Sequence, residues 1–279
     1  DIIAQVVADI VLPEIRRSME HAGGRHCHER IMELFGGDYA GMDEQSRQAR
    51  RQYGLRVLTP LAVAVLEACE LAHSHEQMNI KASDVLGMRG EDDGASIDLP
   101  RSIINYLDGP ARSAGAENWT IGMLQIDVER GAVDAIIRNC LAQPIGNMAE
   151  VIAHLGCDVV LLTGRPSRLP AVRNLVQEML VVSPDRLISM HRFRVDGWYP
   201  YRDVITNQIG DPKSTVAVGG MLLSLAKNRL ANFKFDTDKL LMKSTARHVG
   251  VMNPSGMIPV DQVIFADIDL DKESSGQDV

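Results

Sequence analysis

The stretch DVVLLTGRPSRLPAVRNL, residues 158–175, decides the fold that the sequence predicts. Its four apolar residues 159–162 predict a buried strand, and Thr163-Gly164 ends that strand. A helix is predicted over 170–181, with Pro170 in its first turn. A strand that ends in glycine and leads into a helix N-terminus lets a ligand approach bare backbone and the positive end of a helix dipole. The pattern therefore predicts a nucleotide site.

The segments around this stretch favour an α/β arrangement. IGMLQID (121–127) has the composition of a short strand. Helices are predicted over 128–140, 145–155 and 212–231, with a break at Gln143-Pro144 between the first two. A strand flanked by helices on both sides is typical of an α/β fold.

The beginning and the end of the chain predict other elements. Apolar residues in 1–21 recur at helical spacing, with Asp1 as a cap and Gly23-Gly24 as a stop. Further helices are predicted over 25–35, over 43–53 and from a Thr59-Pro60 cap onward, and a polar surface loop over 88–98. HVGVM (248–252) and VDQVIFADIDL (260–270) alternate as two strands, with Asn253-Pro254-Ser255-Gly256 between them and a polar tail after residue 271.

The predicted fold class is α/β and helix-rich, in three parts. These are a helical outer subdomain over 1–118, an α/β subdomain over 119–235 with the strand–glycine–helix motif, and a C-terminal β-hairpin with a polar tail over 236–279.

Composition excludes several classes of function. The 279 residues carry a net charge of −8 and scattered arginines, which argues against nucleic acid as the main partner. No run of about eighteen apolar residues predicts a membrane span, and no signal segment predicts export, so a cytoplasmic location is expected. Because the chain starts at Asp1 within an amphipathic pattern, we expect it to be a piece of a longer protein.

Cysteine and histidine do not predict a metal site. The four cysteines lie far apart and are predicted to be reduced packing residues. His21, His26, Cys27 and His28 lie close together, but no second Cys/His pair follows at zinc-finger spacing. A polar turn between two helices around Gly23-Gly24 explains the group without a metal.

The motif LLTGRPSRLPAVRNL resembles the adenosine-contacting segment of the actin-like ATPase superfamily, which includes DnaK-type chaperones, sugar kinases and actin. In that superfamily a strand ending in Gly-Gly-Ser/Thr-x-x-Pro presents backbone to the nucleotide. Gly164, Ser167 and Pro170 match those places, and Arg165 stands where the second glycine is usual. The resemblance implies a partial actin-like (ribonuclease H-like) lobe.

Three further segments resemble the same superfamily, in the same order. LEACELAH (66–73) is similar to the chaperone helix whose glutamate and lysine reach ribose and adenine; Glu70 matches the glutamate, and His73 stands where lysine is usual. Residues 126–158 resemble the two helices before the motif, and 210–226 the helix that closes the lobe. The opening segment DIIAQVVADIVLPEIRR resembles the stretch after an Asp-x-Gly-Gly-Gly-Thr phosphate loop, which this sequence does not contain.

Within the superfamily the chain is most similar to the SrfB virulence-factor family of bacteria. The likeness lies in TGRPSRLP (163–170), FRVDGWYPY (193–201) and VGVMNPSGMIP (249–259). It implies an ATPase with ATP and Mg²⁺ as cofactor in the parent protein, protein partners in a virulence or secretion-related system, and a fragment that contributes the adenosine side of a cleft without hydrolysis. The alternative is a scaffold or partner-binding protein that keeps the fold without nucleotide chemistry.

The candidate cofactor-binding residues are Gly164, Arg165, Ser167, Arg168, Glu70 and His73. All of these except His73 have a structural alternative. Gly164 suits a plain strand-to-helix turn, Arg165 and Arg168 suit a solvated loop, and Ser167 suits a helix cap. Glu70 suits an exposed helical stripe. The aromatic residues Trp198, Tyr199 and Tyr201 form either a partner-binding patch or a packed loop.

Overall fold

The computed structural model describes the chain in six ranges: 1–37, 41–87, 99–180, 182–226, 248–253 and 257–266. The predicted loop at 88–98, the end of the predicted helix 212–231 beyond residue 226, residues 254–256 of the predicted turn and the polar tail lie outside the described residues.

Ten α-helices dominate the described ranges. They are α1 (Ile2–Val6), α2 (Leu12–His21), α3 (Cys27–Phe35), α4 (Glu44–Tyr53), α5 (Thr59–Leu71), α6 (Ala82–Val85), α7 (Arg101–Ser113), α8 (Arg130–Leu155), α9 (Pro170–Met179) and α10 (Ser214–Ala226). Two π-helical segments extend this framework: Val7–Val11 joins α1 to α2, and Gly54–Leu58 joins α4 to α5.

The described strands pair two by two. They are β1 (Gln77–Lys81), β2 (Gln125–Glu129), β3 (Val160–Leu162), β4 (Leu187–Ser189), β5 (Val249–Gly250) and β6 (Val263–Phe265). β1 and β2 are antiparallel, as are β5 and β6, whereas β3 and β4 are parallel. The helix-rich α/β class is therefore confirmed; the actin-like lobe implied by the resemblance stays a prediction.

The helix predicted at the N-terminus is confirmed, and its cap is the expected one. Asp1 Oδ1 accepts a hydrogen bond of 3.0 Å from the backbone N–H of Ile3. The predicted cap at Thr59 is wrong, because Thr59 has helical dihedrals of −63° and −48° and the segment Gly54–Leu58 carries the helix through from α4. Burial of Val57 and Leu58 stabilises that continuation.

The break predicted at Gln143-Pro144 is also wrong, because α8 runs without interruption past Pro144. Proline removes one backbone hydrogen bond from a helix interior and costs about 3 kcal/mol there. Buried side chains on both sides of Pro144, Ile137 before it and Ile145 after it, pack into the same core and offset that cost.

β3 is shorter and more exposed than the apolar run 159–162 predicts. Leu161 is 58% exposed and Val159 is 50% exposed, so the expectation of a buried strand is wrong. Among the described residues β3 pairs with β4 alone, and a two-stranded sheet covers its strands less well than a wide one.

Chain contacts divide the protein into two units, Asp1–Val218 and Gly219–Val279. The predicted three-part division stays a prediction. Within the first unit, β1 and β2 join residues from both sides of the predicted boundary at 118, with Met78 opposite Val128 and Ile80 opposite Ile126. These four side chains are buried in one core with the surrounding helices.

Asp108 on α7 is a buried carboxyl group, with 3% of the residue exposed. Its Oδ1 accepts a hydrogen bond of 3.1 Å from the backbone N–H of Ile121. Burial raises the pKa of Asp108 to about 6, although that hydrogen bond and Arg112 act to lower it. The folded protein thus holds a proton on Asp108 that the unfolded chain releases at lower pH.

We expect this proton to make stability depend on pH. Because the folded pKa lies above the unfolded one, the contribution of Asp108 is fully present at low pH and is lost as the pH rises through about 6. The Asp108→Asn variant keeps the acceptor oxygen, so its stability relative to wild type should increase by about 2 kcal/mol from pH 4.5 to 7.5. Urea unfolding at both values measures this. The exposed control Asp84→Asn should show no such change, and an equal change in both variants would contradict the assignment.

Candidate functional site

The loop after β3 has a backbone that requires glycine. Gly164 has φ of +80° and ψ of 164°, a conformation that is essentially confined to glycine. An added Cβ atom would meet its first neighbour, Pro166 Cδ, only at 3.9 Å. The requirement therefore comes from the backbone and not from crowding, and the space beside Gly164 is open.

Ser167 closes the turn that follows. Its hydroxyl donates to the carbonyl oxygen of Gly164 at 2.7 Å, and its backbone N–H donates to the same oxygen at 3.1 Å. Ser167 is 4% exposed. It does not cap α9, whose N-cap is Leu169 and has no side-chain capping bond. The hydroxyl thus holds the Gly164 carbonyl inside a 3₁₀ turn over Arg165–Arg168.

Two arginines of this turn reach helix α5. Arg165 Nη2 lies 2.6 Å from Glu67 Oε1, and Arg165 Nε lies 3.2 Å from Glu70 Oε1. Arg168 Nε lies 2.9 Å from Glu70 Oε2. We call these four side chains, Glu67, Glu70, Arg165 and Arg168, the arginine–glutamate cluster. It joins the loop after β3 to α5 across about one hundred residues of sequence.

The centre of the cluster is Glu70, because its side chain is only 6% exposed, against 53% for Glu67. Each oxygen of the Glu70 carboxylate faces a different guanidinium. Two positive and two negative charges balance, which is the condition under which a buried carboxylate is tolerated. The alternative of an exposed Glu70 is therefore wrong, and so is that of two solvated loop arginines.

The remaining predicted residue is His73, which is not a member of the arginine–glutamate cluster. His73 lies after the end of α5, exposed, and its backbone N–H donates to Glu76 Oε2 at 2.6 Å. Glu67 is a member that the sequence analysis missed. Its spacing of three residues from Glu70 on a helix was the available signal, because such residues share a face.

The first turn of α10 packs against the same loop. Thr163 Oγ1 donates to the carbonyl oxygen of Pro212 at 3.1 Å and lies 2.8 Å from Thr215 Oγ1. These two contacts therefore hold Thr163, the residue before Gly164, in place. In the aromatic group, Tyr199 is 5% exposed and bonds Ser214 Oγ at 2.8 Å, whereas Trp198 and Tyr201 are more than half exposed. Tyr199 thus belongs to a packed loop.

No group of three or more metal-ligating side chains is found among the residues that the structure describes. Cys27 and Cys69 are buried, as expected of packing residues, whereas Cys157 is exposed. Burial, with Asp134 nearby, raises the pKa of the Cys69 thiol to about 12, so it stays protonated at neutral pH.

Comparison with known proteins gave one match. The family model described as "Virulence factor SrfB" matches residues 1–279. No curated protein and no solved structure matches the chain. In the described ranges, none of the helices combines the length and the apolar character that crossing a bilayer requires.

Proposed function

The chain belongs to the SrfB virulence factor family, and from that premise we propose that it binds the adenosine part of a nucleotide where the loop after β3 meets α5. The observation that supports this proposal is the contact of Glu70 with the two arginines that follow Gly164. The loop and the helix that the resemblance assigns to adenosine are thus neighbours, although about ninety residues separate them in sequence.

Three members of the cluster, Glu70, Arg165 and Arg168, have chemistry suited to adenosine. An ionised carboxylate offers about four lone-pair positions, so Glu70 retains acceptor capacity for ribose hydroxyls beside its two arginines. A planar guanidinium stacks on aromatic rings, which is the role we assign to Arg165 and Arg168 toward the purine. Open space beside the Gly164 backbone lets the base come close.

The proposal stops at adenosine. In the actin-like superfamily ATP also needs Mg²⁺ and two phosphate loops, and this sequence contains no Asp-x-Gly-Gly-Gly-Thr loop. Among the described residues no group of three or more His, Cys, Asp or Glu side chains could hold a metal ion, so no residue is assigned to Mg²⁺. We therefore expect weak binding without appreciable phosphate release. ATP hydrolysis, protein partners and a cytoplasmic location remain predictions.

A second candidate function is that of a scaffold which binds protein partners and no nucleotide. The observation in its favour is that both oxygens of Glu70 already face a guanidinium, and that Arg165 replaces the usual second glycine. In this case the cluster only locks the loop after β3 to α5.

Calorimetric titration with adenosine separates the two functions. Adenosine should give a saturable heat, and 2′-deoxyadenosine should bind about tenfold more weakly, since it lacks a hydroxyl that a buried carboxylate would accept. Glu70→Gln should weaken adenosine binding to a similar degree, whereas the matched variant Glu67→Gln should leave it unchanged. No heat with wild-type protein, or equal affinity for both nucleosides, would contradict adenosine binding and favour the scaffold.

A further inference from the structure

A cavity of about 320 Å³ lies beside β4. Its polar wall consists of Ser189 and three arginines, Arg173, Arg192 and Arg194. Leu187 and Phe193 contribute an apolar part. Ser189 ends β4, so the cavity opens where the carboxyl end of a parallel strand leads into a loop, a place where α/β proteins bind ligands.

The three arginines carry positive charge that no carboxylate of the described residues neutralises. Within the described part of the chain, no ion pair joins Arg173, Arg192 or Arg194 to a carboxylate. This contrasts with the arginine–glutamate cluster, where every guanidinium faces a carboxylate. Three like charges around one cavity repel each other, and an anion between them would relieve that repulsion.

Two buried polar atoms of residues that line this cavity have no hydrogen-bond partner in the part of the chain that the structure describes. They are Arg173 Nε and the hydroxyl of Ser189, a residue that is only 6% exposed. Buried polar atoms without partners are rare in folded proteins, because leaving such an atom without a hydrogen bond is energetically costly. A guanidinium N–H and a hydroxyl on one cavity wall are both donors, and they suit an acceptor with several oxygens.

The neighbouring residue His191 also lies close to positively charged arginine side chains. Its Nδ1 is a third buried atom that has no hydrogen-bond partner among the described residues. Burial lowers the pKa of His191, and Arg192, Arg168 and Arg173 lower it further. Guanidinium groups from three elements thus act on this position: the turn after β3, helix α9 and the turn after β4.

We propose that this cavity binds a phosphate monoester with a small apolar or aromatic substituent. The guanidinium forks of Arg173 and Arg194 match phosphate oxygens in pairs, and Ser189 donates to a third oxygen. Leu187 and Phe193 face the substituent. The volume is at the lower end of the range of small-molecule sites, which favours a ligand of one ring or less beside the phosphate. The inference does not rest on adenosine binding, since none of the residues that line the cavity belongs to the arginine–glutamate cluster.

Calorimetric titration at low salt tests the proposal with three probes: phenyl phosphate, inorganic phosphate and benzoate. We expect phenyl phosphate to bind most tightly, because it satisfies both the donors and the apolar wall. Inorganic phosphate should bind more weakly, and benzoate, with one charge and two oxygens, more weakly still. Unsaturable heats for phenyl phosphate, or benzoate binding as tightly as phenyl phosphate, would overturn the assignment.

Variants of single arginines locate the binding. Arg173→Gln should weaken the binding of phenyl phosphate about tenfold, and so should Arg194→Gln at a more exposed position. This is the effect expected from the loss of a charge-assisted hydrogen bond. Arg186→Gln is the matched control, because Arg186 precedes β4 and pairs with Asp158 at 3.6 Å. Equal losses in the control would mean unspecific attraction of anions and would overturn the site.

An NMR titration gives a readout that does not depend on any variant. Bound phosphate adds negative charge beside His191, so the pKa of its ring should rise on saturation with phenyl phosphate. An unchanged His191 titration would contradict the location. Adenosine without phosphate serves as the cross-check: Arg194→Gln should not alter adenosine binding, and Glu70→Gln should not alter phenyl phosphate binding. Failure of one proposal is therefore distinguishable from failure of the other.

Discussion

Replacing Glu70 with alanine should lower the free energy of unfolding by about 3 kcal/mol, because the change leaves Arg165 and Arg168 without their shared carboxylate. The Glu70 side chain is only 6% exposed, so water replaces it poorly. The two arginines are 43% and 31% exposed, which places the expected loss at the low end of the range for broken buried ion pairs. Urea unfolding at pH 7 measures the loss.

Glu67→Ala is the control for this prediction. Glu67 pairs with the same Arg165 but is 53% exposed, and exposed ion pairs contribute about 0–1 kcal/mol. Raising the salt concentration should further reduce the effect of Glu67→Ala and leave most of the effect of Glu70→Ala. If the two alanine variants were equally stable, the cluster would not be the joint between the loop after β3 and α5.

Trp119→Ala should have the largest effect on stability, a loss of about 4 kcal/mol. Trp119 is 1% exposed and is among the largest fully buried side chains. Its indole Nε1 also donates to Ser18 Oγ on α2 at 2.8 Å, so the substitution removes packing and a hydrogen bond together. Trp119→Phe keeps most of the apolar contact and should cost about 1–2 kcal/mol.

The second tryptophan provides the control. Trp198 is 55% exposed, so Trp198→Ala should change the free energy of unfolding by less than about 1 kcal/mol. In a Trp198→Phe background the remaining fluorescence comes from Trp119 and should be shifted to the blue in the folded state. A red emission maximum there would contradict the burial of Trp119.

Local sequence pattern predicted most of the helices. Apolar spacing, the Asp1 cap and the glycines after His21 predicted α1 and α2, and Pro170 predicted the start of α9. Two predicted helix ends were wrong, at Thr59 and at Gln143-Pro144. A proline near a helix terminus and a proline inside a continuous helix look alike in sequence, so the pattern could not distinguish them at either place. Burial of the flanking side chains, which only the folded core provides, selects between them.

β1 was not predicted from the sequence. Its alternation of Met78 and Ile80 spans only five residues, too few to stand out from the surrounding polar segment. The strand exists because β2 pairs with it from more than forty residues away. Such pairing is a long-range contact, and no local pattern encodes it.

The candidate site divides in the same way. The glycine, the turn and the arginines after β3 were visible in the sequence, as was Glu70 through the resemblance. The role of Glu67 was not, nor was the cavity beside β4. Arg173 lies on α9, Ser189 is the last residue of β4, and Arg194 follows β4. The spacing of these three residues in sequence has no period that relates them.

The sequence by itself determined the helix-rich α/β class, the backbone that Gly164 adopts and the SrfB family, because each depends on local preference or on similarity along the chain. Tertiary structure alone decided which charges are paired. It brings Glu70 to Arg165 and Arg168, and within the described ranges it places no carboxylate in an ion pair with Arg173 or Arg194. The physical reason is that Coulomb energy and burial depend on distances in space. The order of residues along the chain does not by itself fix those distances.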